Sequence, residues 1–396
     1  MLRTGFQMLT REAEALRLLL GGMSPVTAVE DMDLEDADGR VLAAPAIAPR
    51  DVPHYDRCAM DGYAVHAADT AGASPAGPVP LYADRVAGNG RAVPVHTGSA
   101  LPSGADAVLP VEDVEGEGPT IGALRRLRPG EHVGRRGEDI RQGDVAAPAG
   151  HVLRPADLGL LRALGIERLR VTRAPRVRIL TTGEELVAAG CDPAPGQMVD
   201  SNGILLAAAA RRWGGIAGIR ALHVDRLDAV CAALRDEADA GDLVVTSGGT
   251  SVGVRDQVVE ALREVGAVTF HGVAIQPARP VAAGRVGSTP VLCLPGFPAA
   301  TFIASFVFLR PALARLGGAP PPRDCVARGR LSRKLVSTLG LRTYVRVRFE
   351  EGRVEPIRTS GAGILSSVVR AHGFVVIPED SEGLSEGSEV DVVLFD

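Results

Sequence analysis

The sequence predicts a multidomain α/β protein, a doubly wound α/β domain joined to smaller β modules. Three observations lead there. The chain has 396 residues, long for one domain when each typically takes about 100–200. Its 46% hydrophobic and 23% charged content gives ample core and excludes disorder, collagen and coiled coil as descriptions of the whole. Its texture also changes along the chain. Short β-type runs between Gly and Pro come first, alternating strand and helix patterns start at Arg176, and β-type runs return after Pro322.

Taken in order, the first thirty or so residues read as a helix. Residues 63–66, 92–96, 107–111 and 144–148 read as strands of small β modules, and 156–164 as a helix. Then comes the alternation. Strands are expected at 177–181, 217–224, 243–246, 268–273 and 291–294, and helices at 203–213, 227–238, 256–265 and 299–316. In the second of these helices Leu227, Val230, Cys231 and Leu234 share one face. Such alternation implies a mostly parallel sheet that binds its ligand beyond the carboxyl ends of the strands. Strands at 344–349, 373–377 and 390–394 make a small C-terminal β domain.

Composition narrows the function. The net charge of −5 and the 4% aromatic content supply neither the basic surplus nor the stacking surface of a general nucleic-acid binder. Lys334 is the one lysine, so there is no Walker A Gly-Lys-Ser/Thr. The five cysteines are scattered, without a Cys-x-x-Cys, which suits a reducing compartment and a cytoplasmic protein. Residues 10–20 carry Arg, Glu and Ala in an amphipathic pattern unlike a signal peptide. The apolar stretches 204–210 and 301–309 fall short of the ~20 residues that span a membrane, so no membrane partner is expected.

Three strand-to-loop junctions fall where an open sheet holds its ligand. They are Thr181-Thr182-Gly183-Glu184-Glu185, Thr246-Ser247-Gly248-Gly249-Thr250-Ser251-Val252-Gly253 and Leu294-Pro295-Gly296-Phe297-Pro298. Paired glycines let backbone N–H groups approach a phosphate or polar heterocycle, though the same residues also make tight turns. Glu185, Asp225 and Asp256 stand beside these loops. Asp225 and Asp256 also fit helix N-caps. Several carboxylates at one sheet edge favour a cation among them, and Mg²⁺ suits oxygen ligands, whereas zinc ligands are missing from the loops. Upstream, Asp61 lies in Ala59-Met-Asp-Gly-Tyr63, Thr97 in His96-Thr-Gly-Ser99, and Arg135, Arg136 and Asp139 in Arg135-Arg-Gly-Glu-Asp139. Paired arginines beside Gly suit an anion or a solvated turn.

In this order, AMDGYA, HTGSALPSGADAV, RRGEDI, TTGEEL, SGGTSVG and LPGFP resemble the motifs of the MoeA family, the molybdopterin molybdenumtransferases, to which the E domain of gephyrin is related. The resemblance runs through nearly the whole chain. It implies an extended N-terminal domain from residues 1–45 and 139–174, an inserted β domain at 46–138, a MogA-like α/β molybdopterin-binding domain at 175–318, and a C-terminal β-barrel-like domain at 319–396. It implies a homodimer, a MogA-like adenylyltransferase upstream and apo-molybdoenzymes downstream. The implied reaction inserts molybdate into adenylylated molybdopterin with Mg²⁺-dependent release of AMP. The implied catalytic residues are Asp61, Thr97, Asp139, Glu185, Asp225 and Asp256, with Glu185, Asp225 and Asp256 on the metal. Molybdopterin would lie on Thr182, Gly183, Ser247, Gly248, Gly249, Ser251, Gly253, Pro295, Gly296 and Pro298. Arg279, Arg346, Arg135 and Arg136 would bind the oxyanion.

The sequence also departs from the family pattern. Gln276-Pro-Ala-Arg-Pro280 stands where the family has Lys-Pro-Gly-Lys-Pro, Phe297 replaces an asparagine, and Ala300 and Ala362 each replace a serine. These changes are expected to cluster on the oxyanion pocket. They leave a second expectation open: a paralogue that binds molybdopterin but inserts molybdate weakly, acting as a scaffold or taking another oxyanion such as tungstate.

Overall fold

The computed structural model describes residues 9–224, 226–249, 257–358 and 361–395. It divides into two compact units. One comprises residues 1–30, 39–41 and 172–396, and the other residues 31–38 and 42–171.

The first unit is built on a six-stranded sheet. Its strands are β1 (Arg176–Thr182), β2 (Ile216–Leu222), β3 (Leu243–Ser247), β4 (Ala267–His271), β5 (Ala282–Val286) and β6 (Thr289–Leu294), in the order β2-β1-β3-β6-β5-β4. The pairings among β2, β1, β3 and β6 are parallel. β5 pairs antiparallel with both β6 and β4, so it alone runs against the rest. The sheet is thus mostly parallel, as expected, with an added strand the sequence pattern did not reveal.

Strand alternation sorts the core into two layers. Val177, Ile179, Leu243, Val245, Leu292 and Leu294 face one side. There they pack with α1 (Glu12–Gly21), α2 (Asn202–Arg212) and α5 (Pro298–Gly317). Leu180, Val244, Val291 and Cys293 face the other, against α3 (Leu227–Ala240) and α4 (Gln257–Val265). The helix α5 is apolar and long enough to cross a membrane, yet 67% of its most apolar window is buried in this core. It widens into a π turn at Ser305–Leu309, immediately before Pro311. Proline lacks the N–H and its ring obstructs the preceding turn, so a regular α ladder cannot continue there. Gly318, at φ +73, ends the helix.

The C-terminal strands β7 (Val326–Leu331), β8 (Arg342–Glu350), β9 (Arg353–Arg358), β10 (Gly373–Ile377) and β11 (Glu389–Leu394) follow one another in the order β8-β9-β7-β11-β10. A pairing of β10 with β8 closes the ring into a barrel. Its interior is Val345, Val347, Val354, Val375, Ile377 and Val392. A two-residue strand, Ile275–Gln276, leaves the sheet domain and pairs in parallel with Arg342 and Thr343 of β8.

Among the described residues the second unit holds three cores, the smallest made of Cys58, Ala64, Val95 and Val108. Leu34, Leu42, Leu153, Leu161, Leu164 and Val171 pack together, so segments on both sides of 49–139 share one core. Residues 62–123 supply a six-stranded sheet over Val65, Leu81, Leu109 and Ile121.

Candidate functional site

The carboxyl ends of β1, β3 and β6 open onto a cavity of about 670 Å³. Thr182, Gly183, Glu185, Ser247, Gly248, Gly249, Pro295, Gly296 and Pro298 all line it. The loops are pressed together through glycine. Gly248 has φ +102, and a Cβ there would lie 2.3 Å from the Thr182 carbonyl. A Cβ on Gly296 would lie 3.4 Å from the Gly248 Cα, so the two loops are separated by about one methyl group. Predicted positions Asp225, Ser251, Gly253 and Asp256 lie outside the described residues.

Two residues missed by sequence reasoning organise the floor. The Asn202 amide donates to Ser247 Oγ at 2.9 Å and to the Gly296 carbonyl at 2.7 Å. Ser247 Oγ in turn donates to the Pro295 carbonyl at 3.2 Å. One side chain therefore ties the β3 loop to the β6 loop. Asp200 accepts from Thr181 Oγ1 at 2.7 Å and from the Gly203 N–H at 3.0 Å, fixing the start of α2. The signal was present as Asp200-Ser-Asn202, capping-type residues opening a helix at a sheet edge. Burial pushes the Cys293 thiol up to about 11, so this cysteine offers no thiolate near neutral pH.

A second cavity, about 260 Å³, is lined by Gln276, Ala278, Arg279, Arg346 and Ala362 among others, and Pro280 lines both cavities. Arg346 is only 2% exposed. The loop carrying Arg279 is braced by Val273 N–H to the Arg279 carbonyl at 2.8 Å. Ala278 has φ +88, a left-handed conformation unusual for a residue with a Cβ. The substituted positions are divided between the two cavities and the core beside them. Gln276 and Ala362 line the small cavity, Phe297 lines the large one, and Ala300 is buried in the core. Helix geometry separates the last two. Phe297 is the N-cap of α5, while Ala300 belongs to the face turned into the sheet.

The remaining predicted residues lie in the second unit. Asp61 accepts from the Thr97 N–H at 2.7 Å and from Thr97 Oγ1 at 3.0 Å. The Thr97 backbone bond, then the hydroxyl bond, hold the Asp61 carboxyl below its ordinary range. Three segments are knitted together here. Cys58 N–H donates to the Ser99 carbonyl, Tyr55 Oη to the Gly98 carbonyl, and Ala59 N–H to the His132 carbonyl. The guanidinium of Arg135 binds Asp56 at 3.0 Å, and that of Arg136 binds Asp51. These arginines stitch loop to loop and line neither cavity. Asp139 is exposed, and its N–H donates to the Val52 carbonyl.

Among the described residues no group of three or more His, Cys, Asp or Glu is placed to hold a metal ion. Of the predicted cation ligands only Glu185 is described, and its carboxylate is a hard oxygen donor suited to Mg²⁺.

Comparison with known proteins covers the whole arrangement. Residues 10–165 match the MoeA N-terminal region (domain I and II), 178–315 a probable molybdopterin binding domain, and 328–395 the MoeA C-terminal region (domain IV). Molybdopterin molybdenumtransferase 2 of Mycobacterium tuberculosis is 36% identical over 377 residues, covering 91% of this chain and 93% of that protein. The molybdopterin molybdenumtransferase of Haemophilus influenzae is 31% identical over 386 residues, 93% and 94% of the two chains. The crystal structure of molybdopterin biosynthesis moeA protein from Pyrococcus horikoshii OT3 has a TM-score of 0.86 at 31% identity, covering 98% of this chain and 100% of that one. The chain belongs to the MoeA family of molybdopterin molybdenumtransferases.

Proposed function

We propose that this protein acts in molybdenum cofactor biosynthesis, inserting molybdate into adenylylated molybdopterin with release of AMP. The observation that carries the reading is the pair of cavities meeting at Pro280. The larger suits a polar heterocycle with phosphates, because its glycine loops bring backbone N–H groups close. The smaller suits a compact oxyanion, because Arg279 and Arg346 supply two positive charges beside otherwise neutral lining.

Within this reading Arg279 and Arg346 orient the oxyanion next to the molybdopterin sulfurs. The Ser247–Gly249 turn and the Pro295–Pro298 loop hold the pterin end and its phosphate. Asp61, kept ionised by Thr97, offers a carboxylate that accepts protons or hydrogen bonds at neutral pH. Mg²⁺ would be held by Glu185, with Asp225 and Asp256 as its further ligands, and when bound would offset the charge of two anionic reactants. We further propose a cytoplasmic homodimer supplied by a MogA-like adenylyltransferase and serving apo-molybdoenzymes. Five free cysteines suit that compartment.

The test is AMP release from adenylylated molybdopterin with Mg²⁺, with and without molybdate. Molybdate-dependent release that is lost in Asp61→Asn supports the reading. Tight binding without molybdate-dependent release overturns it, and the same assay with tungstate then decides whether another oxyanion is used.

A further inference from the structure

We propose that Phe297 is a stacking platform for a planar nitrogen heterocycle of the ligand, and that it sets the affinity of the larger cavity for that ring. The inference rests on the reading above and deepens it.

Single exposed hydrophobic side chains are ordinary on protein surfaces and call for no explanation. Phe297 is a different case. It is 63% exposed, and it is the only aromatic residue among the described residues lining the larger cavity. Met198 and Val199, 50% and 38% exposed, add apolar surface to the same lining. Below them the floor is polar, with Thr182, Asn202 and Ser247. Apolar rim over hydroxyl and amide floor matches a flat ring with polar edges. The ring face meets hydrocarbon while its edge and its phosphates meet donors and acceptors.

The position of Phe297 is also fixed. Its carbonyl accepts the Thr301 N–H at 2.9 Å and Thr301 Oγ1 at 3.0 Å, and Pro298 follows at the first turn of α5. Its ring lies along Gly363, where a Cβ would stand 3.3 Å from the ring Cδ1. Gly363 thus leaves room for the ring against the barrel segment. That segment is itself tied to α5, since the Ala362 carbonyl accepts the N–H groups of Ala299 and Ala300 at 2.9 and 3.2 Å. A preplaced aromatic face needs little ordering on binding.

The test compares the full chain with Phe297→Ala, Phe297→Tyr and Phe297→Trp. Equilibrium binding is measured for adenylylated molybdopterin, for AMP and for a free pterin, alongside the molybdate concentration giving half-maximal AMP release. The expected result is a loss of roughly tenfold or more in Phe297→Ala for adenylylated molybdopterin and for at least one of the two single rings. Tyr and Trp retain binding, and the molybdate requirement stays unchanged. Whichever single ring loses affinity is the one that stacks. The proposal is overturned if Phe297→Ala binds all three ring-bearing probes like the wild type, if Tyr and Trp fail to restore binding, or if the molybdate requirement shifts as much as ring affinity. Unchanged ring binding with intact AMP release removes the stacking role alone. A wild type that neither binds adenylylated molybdopterin nor releases AMP removes the enzymatic reading with it.

Discussion

In the larger cavity the ligand-facing groups are set by packed backbone, whereas around Asp61 they are set by hydrogen bonds between exposed side chains and loop amides. Gly248 packs against the Thr182 carbonyl with no room for a Cβ, beside a buried Asn202–Ser247 pair. Asp61, by contrast, has a side chain 64% exposed, held among the described residues by two hydrogen bonds from Thr97. The difference teaches where function and stability are coupled. A change in the packed site disturbs both. A change in the exposed site removes chemistry and leaves the fold alone.

The strongest way to break that comparison is Gly248→Val. The Cβ would meet the Thr182 carbonyl at 2.3 Å, and φ is +102. We expect a loss of about 3 kcal/mol or more in denaturant unfolding, together with loss of ligand binding. An unchanged midpoint would show that the loops are not packed as described. Asp61→Asn is the counterpart. Molybdate-dependent AMP release should fall at least ~100-fold, within the range of acid–base and electrostatic groups. Its unfolding free energy should stay within about 0.5 kcal/mol. A large stability loss there would erase the distinction between the sites.

Smaller effects sharpen it. Arg346→Met should raise the molybdate concentration for half-maximal release by roughly tenfold or more, the worth of a charge-assisted hydrogen bond. Arg346→Lys should restore it only in part, because a point charge replaces a planar fork. Thr97→Val removes one of the two hydrogen bonds that lower the Asp61 carboxyl. The folded-state carboxyl is depressed, so its ionised form persists as pH falls below the ordinary carboxylate range. In the variant the acid limb of the activity profile should move upward in pH. No movement would mean that Asp61 does not govern that limb. The smallest effect is Ala278→Gly, which relieves a residue held at φ +88 and should add about 0.5–1 kcal/mol of stability.

Much of this was legible in the sequence because it is carried by residue type. Glycines after strands and the carboxylates of AMDGYA and TTGEEL declare themselves locally, whereas Arg346 is reached only through the family resemblance. Apolar runs such as Leu243–Ser247 place the central strands, since a strand covered on both faces is continuously apolar. What escaped depends on tertiary pairing. Ala282–Val286 is short and interrupted by Gly284, so nothing in it announces an antiparallel strand. Val326–Leu331 and Arg353–Arg358 each carry two arginines, with Gly329 in one and Pro356 in the other, and only closure of the barrel makes strands of them. Asp200 and Asn202 read as capping residues until the floor of the cavity places them. Phe297 and Ala300, three positions apart, could be assigned to different environments only once the phase of α5 was known.

The short strand Ile275–Gln276 has a consequence for the order of events in biosynthesis. It is the seam along which the sheet domain hydrogen-bonds to β8; Arg279 follows the first of its two strands and Arg346 lies in the second. A ribosome delivers Arg279 well before Arg346, so the guanidinium pair is assembled only after the barrel strand emerges and docks. The larger cavity shares part of this dependence: its described lining ends at Pro298, but the Phe297 ring rests along Gly363 and the N–H groups of Ala299 and Ala300 bond the Ala362 carbonyl. The pocket walls are laid down first, and both the aromatic rim and the guanidinium pair are finished only when the last quarter of the chain arrives.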